Sequence, residues 1–133
     1  MDEALTGDDV WEDDPTVNQF QTELAKMLRK PAALFMPSVT MANLIALMHN
    51  CERGNQCILG DKSHIYSNTS GGISAVGAIY ANVVPNEEDG TFDLRKLRAA
   101  IPELRRHLPR VKVISIENPH TTCGGRLIPN SYI

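Results

Sequence analysis

Val17, Phe20, Leu24, Met27 and Leu28 fall on one face when the chain is wound at 3.6 residues per turn. Asp14-Pro15 stands just ahead of them, a cap oxygen followed by a proline at the first helical position. The pattern predicts a helix from here to about Lys30, ahead of Pro31. Ala32 to Met36 is short, apolar and bounded by prolines, and predicts a buried strand. A second stripe, Met41, Leu44, Ile45 and Met48, predicts a helix over 40–52, closed by Arg53-Gly54-Asn55. Gln56 to Gly60 reads as a second short strand. Ile65 to Val76 is ambiguous, and Gly71-Gly72 weakens a helix there. Ala78 to Val84, rich in branched and aromatic residues, predicts a strand. Asp93 can cap a helix carrying Leu94, Leu97, Ile101 and Leu104, which Pro102 must break or kink. Val111 to Ile116 alternates as a strand does and ends at Glu117-Asn118.

Strand and helix alternate, and the strands are apolar on both faces. That combination predicts an α/β fold, a parallel sheet covered by helices on both faces, read as one domain over 1–133. Ligands in such sheets bind at the carboxyl ends of the strands. The loops after Met36, Gly60 and Ile116 are therefore the places to look for chemistry.

Composition narrows the picture. A hydrophobic share of 42% suits a globular chain of 133 residues and excludes a disordered one. A formal charge of -3 and a pI near 5.8 exclude an electrostatic nucleic-acid binder. Acids crowd the head from Asp2 to Asp14 and bases gather from Arg95 to Lys112, the second cluster reading as a solvated helix face. Cys51, Cys57 and Cys123 cannot all pair with one another. With no signal peptide and no apolar run of roughly 20 residues, a cytoplasmic setting with free thiols and no membrane partner is expected. Asn68-Thr69-Ser70 fits the glycosylation pattern and is read as chance. Thr6-Gly7-Asp8-Asp9 soon after Met1, and an apolar end at Tyr132-Ile133, read as a chain cut at both ends.

Three loops carry candidate chemistry. Pro37-Ser38-Val39-Thr40 leads straight into a helix, whose unpaired N–H groups and nearby hydroxyls suit a phosphate. Ser38 as a plain helix cap is the competing reading. Gly60-Asp61-Lys62-Ser63-His64 sets an imidazole at a strand's carboxyl end, where it can stack on a flat ring or move protons. Glu117-Asn118-Pro119-His120, then Cys123-Gly124-Gly125, sets a second histidine after another strand. His120 and Cys123 lack a second pair of ligands, so no metal is expected.

In this order the loops resemble the low-specificity L-threonine aldolases, grouped with the aromatic amino acid β-eliminating lyases among fold-type-I pyridoxal-phosphate enzymes. Gly7-Asp8-Asp9-Val10-Trp11-Glu12-Asp13-Asp14-Pro15-Thr16-Val17-Asn18 is similar to the family's opening block. Leu34-Phe35-Met36-Pro37-Ser38-Val39-Thr40-Met41-Ala42-Asn43-Leu44 is similar to its phosphate-binding block, and Asp61-Lys62-Ser63-His64-Ile65 to the block of the cofactor-stacking histidine. Asp89-Gly90-Thr91-Phe92-Asp93-Leu94, Glu117-Asn118-Pro119-His120 and Gly124-Gly125-Arg126-Leu127-Ile128-Pro129 complete the series. The resemblance implies the large-domain sheet of such an enzyme, truncated, and cleavage of L-threonine or L-allo-threonine to glycine and acetaldehyde. It implies that Ser38, Val39 and Thr40 form the phosphate loop, that His64 stacks on the ring, and that His120 stands near the substrate hydroxyl. It also implies a homo-oligomer, or assembly with a full-length paralogue.

Several positions depart from the family. Trp11-Glu12 stand where it has tyrosine and glycine, and Pro119 where threonine is common. Thr69 is the residue offered where a glutamate is usual. Val39 replaces a glycine, and a β-branched side chain is strained wherever φ is positive. The block whose aspartate pairs with the pyridine nitrogen has no counterpart, nor has the block with the Schiff-base lysine; Lys62 reads as an ordinary polar loop residue. The 133-residue chain is therefore expected to lack aldolase turnover on its own. A non-catalytic, degenerate copy that binds a paralogue is the second expectation.

Overall fold

The computed structural model describes residues 5–69, 71–103 and 107–133. It divides into two compact units, one ending at Pro37 and the other beginning at Ser38.

The first unit is organised by aspartates. Asp8 Oδ1 accepts from the Val10 N–H at 2.9 Å and opens a 3-10 turn at Asp9–Trp11. Asp14 Oδ1 accepts from Thr16 and Val17 N–H at 3.0 Å each, capping helix α1, Pro15–Met27. The helix start is the one that Asp14-Pro15 predicts. The stop comes earlier than Lys30, because Arg29 takes a left-handed backbone conformation at φ 51. The predicted strand at Ala32 to Met36 does not form. The Phe35 N–H donates to Gln21 Oε1 at 2.7 Å, so the backbone is drawn to a side chain of α1 and not to a sheet. Leu34 is 71% exposed, and Phe35 packs edge-on against Phe20 with ring centroids 6.1 Å apart.

The second unit is built on strand β1, Gln56–Gly60, buried at every residue. Helix α2, Val39–Asn50, precedes it, and the one-turn helices α3, His64–Ser67, and α4, Gly72–Ala75, follow it. Strand β2, Tyr80–Val84, helix α5, Leu94–Ala99, and strand β3, Val111–Ile114, complete the order. Both neighbours pair with β1 in parallel, in the spatial order β2-β1-β3. Alternate β1 residues face opposite sides of the sheet. Cys57 and Leu59 join Leu47 and Cys51 from the α2 side, together with Ile65, Ile73 and Ile79. Ile58 joins Val84 and Phe92 on the other side, with Leu97 of α5 packed against them. Helices thus cover both faces, as the two-sided apolar pattern of β1 predicts.

Most differences from expectation lie at element ends. The ambiguous stretch from Ile65 to Val76 holds two single turns. β2 begins at Tyr80 because Ala78 has a left-handed backbone, φ 52, incompatible with a strand. α5 stops at Ala99, ahead of Ile101 and Pro102, and the predicted helical position Leu104 lies outside the described residues. β3 ends at Ile114, short of Ile116.

Candidate functional site

The carboxyl ends of β1 and β3 open beside the start of α2. Ser38 caps that helix, its Oγ accepting from the Met41 N–H at 3.2 Å. The N–H groups of Val39 and Thr40 have no acceptor within the helix, as at any helix start. Val39 is the first residue of α2 and does not have a positive φ, so the valine is conformationally at ease there. Its side chain is 66% exposed.

His64 is the first residue of α3, four residues past the end of β1. Its ring is half-buried, and Nδ1 has no hydrogen-bond partner. Its backbone N–H donates to Glu117 Oε2 at 2.6 Å, while the Thr121 N–H donates to Glu117 Oε1 at 2.9 Å. Partial burial pushes the Glu117 carboxyl up. The N–H groups of His64 and Thr121, with the Thr121 hydroxyl and the nearby His120, outweigh it and hold the carboxyl below its usual range. Val39, Asn43, His64, Glu117, Asn118, Pro119 and Thr121 line one cleft of about 590 Å³.

Of the residues singled out in the sequence, the cleft therefore brings together Val39, His64 and Pro119. Ser38 and Thr40 lie at the same helix start but are not in its lining. His120 is fully buried beside it, and neither ring nitrogen has a partner. Its N–H donates to the Arg126 carbonyl and its carbonyl accepts from the Gly125 N–H, both at 2.9 Å. Cys123-Gly124-Gly125 is thus the tip of a small reverse turn. Asn118 holds the returning chain, donating to the Ile128 carbonyl at 3.3 Å and accepting from its N–H at 3.0 Å. The Asn118–Pro119 peptide is cis.

The remaining candidates sit elsewhere. The Lys62 ammonium donates to the Asn86 carbonyl at 3.4 Å, away from the cleft lining. Thr69 is buried, and its hydroxyl donates back to the Ile65 carbonyl at 2.9 Å. Trp11 belongs to the first unit and is 76% exposed. Among the described residues no three His, Cys, Asp or Glu side chains converge as a metal site, and no helix is long and apolar enough to cross a membrane. Sequence reasoning gave Glu117 no role. Its signal was a lone carboxylate just past a strand's carboxyl end, which is informative only once its partner at His64 is known.

A family model described as beta-eliminating lyase matches residues 1–133. The chain is 43% identical to a probable low-specificity L-threonine aldolase 2 and 45% identical to low-specificity L-threonine aldolase 1, both of Arabidopsis thaliana. It is 40% identical to the low specificity L-threonine aldolase of Escherichia coli K12. These matches cover 98–100% of this chain. The chain spans only 38% of the length of each of these curated relatives. This chain belongs to the beta-eliminating lyase family, and it matches the N-terminal part of the low-specificity L-threonine aldolases.

Proposed function

We propose that this chain supplies one wall of the pyridoxal-phosphate pocket of a threonine-aldolase-like carbon–carbon lyase. The observation that supports it is the shared cleft. An imidazole with an unpartnered Nδ1 lies in the same cavity as the open N-terminal turn of α2. The residues fit the group in part. The free N–H groups of Val39 and Thr40, the Thr40 hydroxyl and the positive end of a 12-residue helix suit a phosphate. The flat face of His64 suits an aromatic ring. Among the described residues no lysine and no aspartate lines the cleft, so none of them would attach the cofactor or pair with its ring nitrogen.

When bound, pyridoxal phosphate supplies an electron-poor ring that accepts the electron pair released as a Cα–Cβ bond breaks. The residues of this chain bind and orient. Ser38 keeps the first turn of α2 in shape, and Val39 and Thr40 hold the phosphate. His64 covers the ring, and His120, fully buried beside the cleft and outside its lining, shapes the wall next to the bound L-threonine or L-allo-threonine without touching it. The whole protein is proposed to act as a homo-oligomer in a reducing, cytoplasmic setting, where free thiols persist.

The test uses the purified 133-residue chain with pyridoxal phosphate and L-threonine. Reversible, non-covalent binding of the cofactor is expected, weakened by His64→Ala, with no acetaldehyde produced. Absence of binding would overturn the pocket, and clear turnover would overturn the proposed inactivity. A second reading, assembly with a full-length paralogue, is favoured by the sheet. β2 and β3 each pair on one side only among the described residues, and Met41, Ile45 and Met48 of α2 are exposed. Co-purification with such a paralogue is the outcome that this reading expects; a monomer in its presence would count against it.

A further inference from the structure

We infer that Glu117 is a positioning residue whose carboxylate sets His64 in the cleft by capping, from a distant loop, a helix that has no cap of its own. This rests on the cofactor-pocket reading and adds a residue to it. α3 is only four residues long, and Ser63 at its N-cap makes no side-chain capping bond. The Ser63 hydroxyl donates instead to the Gly60 carbonyl at 2.7 Å. The first N–H groups of a helix need acceptors from outside it. His64 finds one in Glu117, 53 residues along the chain.

The second carboxylate oxygen is engaged as well, by the Thr121 N–H at 2.9 Å. One side chain therefore ties the turn that carries His64 to the loop that carries His120. Both bonds involve an ionised acceptor, which makes them stronger and shorter than neutral ones. The His64 ring has no hydrogen-bond tether of its own at Nδ1, so its aim is inherited from its backbone. Fixing that backbone is the service the carboxylate performs. The chemistry is specific: a carboxylate accepts on two oxygens, whereas a carboxamide accepts on one and presents donors on the other. Glu117→Gln, nearly the same shape, sets an NH₂ against an N–H at one of the two contacts. Glu117→Asp keeps the charge on a shorter arm.

The experiment compares the full chain with E117Q and E117D by NMR and by titration with pyridoxal phosphate. Three-bond couplings are expected to show one His64 side-chain rotamer in the parent. E117Q is expected to move both the His64 and Thr121 amide signals, to average the rotamers, and to weaken pyridoxal phosphate about tenfold, the equivalent of about 1.4 kcal/mol. E117D is expected to recover a large part of each effect. An unaveraged His64 ring in E117Q, or lowered thermal stability with unchanged ring couplings, would overturn the positioning role. If the parent binds no pyridoxal phosphate, the pocket reading fails. The couplings and amide signals still decide the role of Glu117.

Discussion

Gly90 lies against the buried ring of His120, and giving it a side chain tests how tightly that histidine is held. A β-carbon built on Gly90 would stand 2.7 Å from His120 Cβ and 2.9 Å from Cγ and Cδ2. Carbon contacts of that length lie well inside the ordinary separation of about 3.5–4.0 Å. His120 has no exposed surface into which it could retreat. Gly90 also has φ +88, where a residue with a β-carbon pays about 1–2 kcal/mol. Crowding a packed interior adds about 1–3 kcal/mol. Gly90→Ala is therefore expected to remove about 2–5 kcal/mol from a total of about 5–15. Gly124→Ala is the matched control: φ is +82, and nothing lies within 4 Å of an added β-carbon. It should lose the backbone part alone. Urea unfolding followed by far-UV circular dichroism measures both. Equal losses for the two variants would refute the reasoning, since they would show that His120 yields without resistance.

Two further outcomes follow from ionisation. The bonds from His64 and Thr121 overcome the upward push of burial and hold Glu117 below its ordinary value of 4.5, so the unfolded carboxyl takes up its proton first as the pH falls. Its contribution is complete above that ordinary value and disappears as the pH drops through the lower folded value; E117Q should flatten this part of the acid limb, and an unchanged limb would contradict the two bonds that Glu117 accepts. Burial pushes the Cys57 thiol up to about 12, with Cys51 adding to the effect. A thiol reagent at mildly alkaline pH should therefore leave Cys57 unmodified until urea unfolds the chain, and labelling at the rate of a free thiol would show that the strand opens readily.

What could be read from the sequence was whatever is decided locally. The α1 start follows from Asp14 and Pro15 standing next to each other, and the α5 start from Asp93 two residues before the Arg95 N–H that it accepts. β1 was legible because Cys57, Ile58 and Leu59 run together, as the middle of a strand buried on both faces requires. Ala32 to Met36 carries the same signal with a different outcome: Leu34 and Phe35 are exposed, and hydrophobicity alone does not say whether a partner strand is at hand. The loops of the site were located by topology, since the ends of parallel strands are where clefts open. The part played by Glu117 was not legible, because its partner is 53 residues away and no periodicity spans that distance. Nor was the complete burial of His120, which depends on Gly90 lying over its ring.

The position of β1 in the middle of the sheet also has a consequence for synthesis. Both of its partners are made after it: Tyr80–Val84 first, then Val111–Ile114. At about 5–20 residues per second, translation takes roughly 3–10 s to run from Gly60 to Ile114. Through that interval Gln56–Gly60 has been made but lacks its second partner, though every one of its residues is buried in the finished fold. A nascent chain in this state offers the ribosome-associated chaperones a short strand with an apolar middle, Cys57 to Leu59. The exposure of β1 ends when β3 emerges and pairs along its second edge.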